Sequence, residues 1–137
     1  MNFMTSTDSR MTFGERYENG EFKTLVFSVK SIEEVQADMA RALHGEERGY
    51  AEHSFISSDL LWRVLTAKRW DILAIMAGAG EMSIREVARK VGRDVKAVHG
   101  DVTVLIKNRI VERGESGKVV FPYDHFHLSL SNRRAVA

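Results

Sequence analysis

The chain contains no cysteine, which excludes a disulfide scaffold, a thiolate metal site and a cysteine nucleophile. It has a single proline, Pro122, and no apolar run approaching the roughly 20 residues that span a bilayer. The polar opening Met1-Asn-Phe-Met-Thr-Ser-Thr-Asp-Ser-Arg10 lacks a signal-peptide core, so we expect a cytoplasmic protein with no membrane partner. Ser, His and Asp are present, but there is no nucleophile elbow, glycine-rich phosphate loop or carboxylate pair of recognisable spacing. We therefore expect no enzyme, no catalytic residue and no cofactor. His125 and His127 share one side of a candidate strand without an obvious third ligand, which favours a surface pair over a metal site.

What is there is 137 residues, 44% hydrophobic and 28% charged, the size and composition of one soluble domain of modest core. The net charge of +1 conceals a division along the chain. Residues 1–57 carry 6 Lys/Arg against 10 Asp/Glu, whereas residues 80–122 carry 9 against 6. An acidic front and a basic later segment suit a protein that offers one face to DNA and another to itself or a protein partner. The basic excess is small, so useful affinity calls for a dimer that doubles the phosphate contacts.

The basic segment is patterned as two helices with a hinge. Ser83 and Glu86 have capping-box spacing; Ile84, Val87, Ala88 and Val91 fall on one helical face, and Arg85, Glu86, Arg89 and Lys90 on the other. Gly92 ends that helix without steric cost. Asp94 caps the next, with Val95, Val98, Val102, Leu105 and Ile106 inward. Arg93, Lys96, Ala97, His99, Gly100, Thr103 and Lys107 then point outward, a row of short or cationic side chains that lets a helix lie close to phosphates and base edges. This is the pattern of a helix-turn-helix, with the helix at about 94–107 in a major groove. Arg109-Ile-Val-Glu-Arg113 and Lys118-Val-Val-Phe121 read as strands around the turn Gly114-Glu-Ser-Gly117, a wing over 109–121. Arg113, Ser116 and Lys118 lie at or beside its tip; the two cations either grip the sugar-phosphate backbone or guard a strand edge.

Elsewhere, Glu21-Phe-Lys-Thr-Leu-Val-Phe-Ser-Val29 reads as a strand. Ser31, with Glu34, caps a helix whose buried stripe is Ile32, Val35, Met39, Ala42 and Leu43. Strand and helix must pack on the rest of the chain or on a second chain. Ser57 or Ser58 caps a short helix, Thr66 caps a longer one, and Trp62 and Trp70 anchor a core or interface. Lys68 and Arg69 sit in that longer helix's first turn, against its dipole, and face either DNA phosphates or solvent. Tyr123 to Leu130 alternates as a last strand and pairs with 22–29. The organisation is a disordered tail over 1–16, a strand-helix arm for dimerisation or partner binding over 17–53, a DNA-binding domain over 54–122, and a strand and frayed tail over 123–137. The fold class is α+β.

Phe55, Ser57, Leu60, Val64, Leu65-Thr-Ala-Lys-Arg69, Ser83-Ile-Arg-Glu-Val-Ala, Gly92-Arg-Asp-Val-Lys-Ala-Val-His, Asp101-Val, Leu105 and Pro122-Tyr-Asp124 together resemble the small prokaryotic MarR-like winged-helix regulators. They resemble most the predicted transcriptional regulators with an N-terminal strand-helix arm and a closing strand. The resemblance implies a homodimer on double-stranded DNA, commonly a repressor. It implies Arg93, Lys96, Ala97, His99, Gly100 and Thr103 at the groove, and Arg113, Ser116 and Lys118 on the wing. Gly100 stands where many relatives carry a basic residue. Asn108-Arg-Ile110 replaces a glycine turn, with Asn108 expected in the left-handed conformation. Members of this subgroup also occur as antitoxins that repress their own operon. The alternative function is therefore to bind a toxin protein through an acidic surface of Glu33, Glu34, Asp38, Glu46, Glu47 and Glu52.

Overall fold

The computed structural model describes residues 23–46 and 49–131. The expected tail over 1–16, Glu21 and Phe22 of the first strand, Glu47 of the acidic surface and the fraying segment 132–137 lie outside the described residues.

The chain is a mixed α+β fold in which a small parallel sheet and a set of helices share one buried cluster. Strand β1 (Thr24–Val29) is the middle of three, in the order β2-β1-β5, with β2 at Ala51–Phe55 and β5 at His125–Ser129; both neighbours run parallel to it. Parallel neighbours need a crossover rather than a tight hairpin. Helix α1 (Ile32–Leu43) supplies the one between β1 and β2, and most of the remaining chain lies between β2 and β5. β1 is buried on both sides along much of its length, consistent with its run of β-branched and aromatic residues. β5 pairs with β1 from Thr24↔His125 to Ser28↔Ser129, as its alternation suggests.

The strand at Ala51–Phe55 was not anticipated, and it runs across the expected boundary between 53 and 54. Its sequence does alternate: Ala51, His53 and Phe55 against Glu52 and Ser54. The stretch is short and carries three polar residues, Glu52, His53 and Ser54, between its apolar ends, so it becomes legible as a strand only once β1 is beside it.

Helices α2 (Ser58–Val64), α3 (Ala67–Met76), α4 (Ile84–Val91) and α5 (Val95–Lys107) follow. Each starts on a side-chain cap: Ser57, Thr66, Ser83 and Asp94 accept from the amides of Leu60, Arg69, Glu86 and Ala97 at 3.1–3.3 Å. Only half of the Ser83 capping box forms, because the Glu86 carboxylate lies toward Arg89. Gly92 closes α4 in the left-handed region at φ 70°. A two-stranded antiparallel hairpin, β3 (Glu112–Arg113) and β4 (Val119–Val120), leads out of α5. Its strands are shorter than the sequence suggested, but Met82 extends the pairing by bonding Val119 in both directions at 2.8 Å.

The core joins Phe27 and Phe55 of the sheet to Leu61, Ile72, Leu73, Met76, Val87, Val98, Val102 and Leu105 of the helices and to Val119 and Phe121 by the hairpin. Phe126 links the two parts, with ring centroids 4.6 Å from Trp70, 5.5 Å from Phe121 and 6.4 Å from Phe27. Of the two places expected for Trp62, core or interface, the core is excluded: it is 53% exposed, because α2 buries Leu61 while Trp62 falls one position round the helix. The stripe of α1 departs from expectation. That helix has no buried residue, and Ile32, Met39 and Leu43 are 57%, 61% and 86% exposed. Among the described residues, no helix is long and apolar enough to cross a membrane.

Candidate nucleic-acid interface

Helix α5 is anchored by one face and open on the other. Val98, Val102 and Leu105 are fully buried at helical spacing and Ile106 is half-buried, whereas Val95, expected inward, is 39% exposed in the first turn. Lys96, Ala97, His99, Gly100 and Lys107 are exposed, as the periodicity requires. Thr103 is half-buried and its hydroxyl donates back to the His99 carbonyl at 2.8 Å, which leaves its methyl on the helix surface. A Cβ added at Gly100 would meet nothing within 4 Å. No packing within the chain therefore calls for glycine there, although glycine in a helix interior costs about 1 kcal/mol relative to alanine.

Arg93 is not part of the open row. Its guanidinium donates to Asp101 Oδ2 at 2.8 Å, while Arg69 Nε donates to Asp101 Oδ1 at 3.0 Å. Arg69 also donates to the carbonyls of Arg63 and Val64 at 2.9 and 3.2 Å, closing the end of α2. One carboxylate of α5 thus ties the turn before it to α3 and, through Arg69, to α2. All three side chains are mostly buried, and Nη1 of Arg93 is buried without a partner. Two cations against one anion leave the cluster a single positive charge. It holds the open face of α5 in place rather than standing on it. Neither Arg69 nor Asp101 was picked out as a pair from the sequence, because 32 residues separate them and no local pattern joins them. Lys68, next to Arg69, is exposed.

The turn out of α5 is made differently from expectation. Asn108 keeps φ −90° and its side-chain amide donates to the Val104 carbonyl at 2.9 Å, beside the bond that its own backbone amide makes to the same oxygen at 3.1 Å. Arg109 takes the left-handed conformation instead, at φ 62°. Ile110 and Val111 then bury beside Leu105 and fix the hairpin's root.

At the hairpin tip Arg113, Ser116 and Lys118 are all exposed; the side chains of Arg113 and Ser116 and the backbone of Lys118 make hydrogen bonds within the chain. Arg113 donates to the Gly117 carbonyl at 3.1 Å, Ser116 Oγ donates to Glu81 Oε1 at 3.3 Å, and the Lys118 amide donates to Ser116 Oγ at 3.3 Å. Glu81, Glu112 and Glu115 offset Arg109, Arg113 and Lys118, so the hairpin has little net charge to attract phosphates. Among the described residues no group of three or more His, Asp or Glu is placed to hold a metal, and His125 and His127 lie exposed on the same side of β5.

A family model described as HVO_A0114 matches residues 64–128, from the last residue of α2 into β5, and so takes in α3 to α5 and the hairpin but not β1, α1 or β2. No curated protein matches the chain, and neither does any solved structure.

Proposed function

We propose that α4, α5 and the hairpin form a winged helix-turn-helix and that the chain is a sequence-specific duplex DNA-binding transcriptional regulator, acting as a dimeric repressor. In this reading α5 enters the major groove and the hairpin rests on the backbone. The observation that carries it is the open face of α5: the short residues Ala97, Gly100 and Thr103 between Lys96, His99 and Lys107, with clear space over a glycine in mid-helix. Short side chains let a helix approach base edges, and flanking cations meet phosphates. The likeness to MarR-like regulators lends the same reading support. Base contacts fall to Lys96, Ala97, His99, Gly100 and Thr103, with Lys107, Arg113, Ser116 and Lys118 toward phosphates and Arg93 in a positioning role through Asp101.

The toxin-binding alternative loses ground on the acidic arm. Lys30 sits 2.5 Å from Asp38 and 2.8 Å from Glu52, so two of its carboxylates are already countered. Selection of bound duplexes from a random pool by the full chain at low salt tests the proposal. The expected result is an enriched site repeated with two-fold symmetry. Recovery of no sequence above the unselected pool would refute it.

A further inference from the structure

Between α2, α3 and β5 lies a cleft of about 650 Å³, walled by Trp62, Leu65, Trp70, Asp71, Phe126 and Leu128. Its volume and mainly apolar walls are those of a small-ligand site. Trp70 and Asp71 stand three and four residues after Ala67, which also lines the cleft, so all three share the side of α3 turned toward β5. Trp70 packs on Phe126 with ring centroids 4.6 Å apart, and the exposed indole of Trp62 forms the outer wall. Asp71 supplies the one carboxylate of the lining, and no lysine or arginine joins it there. It is exposed, and among the described residues it makes no hydrogen bond or ion pair.

We propose that this cleft binds a lipophilic organic cation, one whose positive charge is spread over aromatic or alkyl groups. Indole and phenyl faces present the negative side of the ring quadrupole, and they attract a cation most when it is weakly hydrated. Asp71 adds a full negative charge at the same cleft and has no cation of its own, while Leu65, Phe126 and Leu128 take up apolar substituents. A compact ammonium or metal ion would surrender too much hydration for one carboxylate. An anion has one point in its favour, the N-terminal end of α3 at Thr66 and Ala67, which carries about half a positive charge. The Thr66 hydroxyl already accepts from the Arg69 amide at that end, and Lys68 and Arg69 do not line the cleft, so the whole charge on Asp71 outweighs it. His127, on the β5 side, is already engaged and takes no part in the selection. The cleft is separate from the open face of α5, so this binding stands or falls without DNA.

Tetraphenylphosphonium and tetraphenylborate have the same shape and opposite charge, and titrating each into the full chain by isothermal calorimetry tests the proposal. The phosphonium is expected to bind at least about tenfold more tightly than the borate, and to shift the indole N–H signals of Trp62 and Trp70 in NMR spectra. Trp62→Ala weakens phosphonium binding about tenfold and Asp71→Asn about three- to fivefold; both residues are exposed, so the fold stays intact by circular dichroism. Asp71→Asn leaves the borate bound no more weakly than before. Equal binding of the two ions, tighter binding of the borate, or no phosphonium binding up to about 1 mM overturns the proposal. So does phosphonium binding that leaves both indole signals in place or is unchanged in Asp71→Asn.

Discussion

Helices α1 and α5 are nearly equal in length, twelve and thirteen residues, and both carry an apolar stripe, yet only α5 is held by its stripe. Three of its residues are fully buried, while α1 buries none. Amphipathic periodicity states that a face needs cover and does not state what provides it. For α5 the cover is α3, α4 and the hairpin root, and the exposed remainder is cationic and short. For α1 the polar side is tied down by Lys30 and Asp38 and the apolar side is left open, the reverse of the arrangement expected of a core helix. A buried apolar face with an open polar one suits a helix offered to a polar ligand such as DNA. An open apolar face states only that cover is wanting.

The sharpest way to break this comparison is to truncate one side chain in each stripe. Leu105→Ala should cost about 3 to 4 kcal/mol in urea denaturation, whereas Leu43→Ala at low protein concentration should change stability by less than about 0.5 kcal/mol. Equal losses would mean that α1 is covered within its own chain. Next in size, Asp101→Ala leaves Arg69 and Arg93 facing each other without their shared anion and should destabilise the fold by about 2 to 3 kcal/mol. A loss below about 0.5 kcal/mol would remove the cluster from its positioning role. Gly100→Ala should act in opposite directions on fold and ligand: about 0.5 to 1 kcal/mol more stable, because helix propensity improves with no clash, but a weaker binder of duplex DNA. A variant that gains stability and keeps its affinity would show that no partner approaches the helix there.

The smallest effect belongs to the sheet. His53 packs between Phe27 and Phe55, with ring centroids at 5.9 and 4.9 Å, and burial lowers its pKa below the ordinary 6.5. With a lowered folded-state pKa, the unfolded chain takes the proton first as pH falls. The His53 contribution to stability is therefore lost as pH drops through the unfolded value near 6.5 and levels off below the folded one. Melting temperatures recorded from pH 8 down to pH 5 should decline less steeply in His53→Gln than in the wild type, and parallel curves would contradict this.

Much of this molecule was legible locally. The caps Ser31, Thr66, Ser83 and Asp94, the hinge at Gly92 and the outward row of α5 follow from short-range rules, since a cap or a helical face is set within one or two turns. What escaped depended on neighbours remote in sequence. β2 is a strand because β1 lies beside it, Arg93 is drawn from the outward row by Asp101 and Arg69's shared network, and Trp62 is exposed because Leu61 takes the inward place. The exchange of roles between Asn108 and Arg109 has a local cause that residue type alone does not reveal: the Asn108 side chain is engaged with the Val104 carbonyl and keeps its backbone near-helical, so the next residue makes the turn.

The most direct test of the central claim is an amide chemical-shift titration of the isotopically labelled full chain with duplex DNA at low salt. The account predicts that perturbed amides cluster in residues 93–107, with a second, weaker group at 113–118, and that α1 and the sheet stay largely unmoved. Shifts confined to α1, or none at saturating DNA, would contradict it.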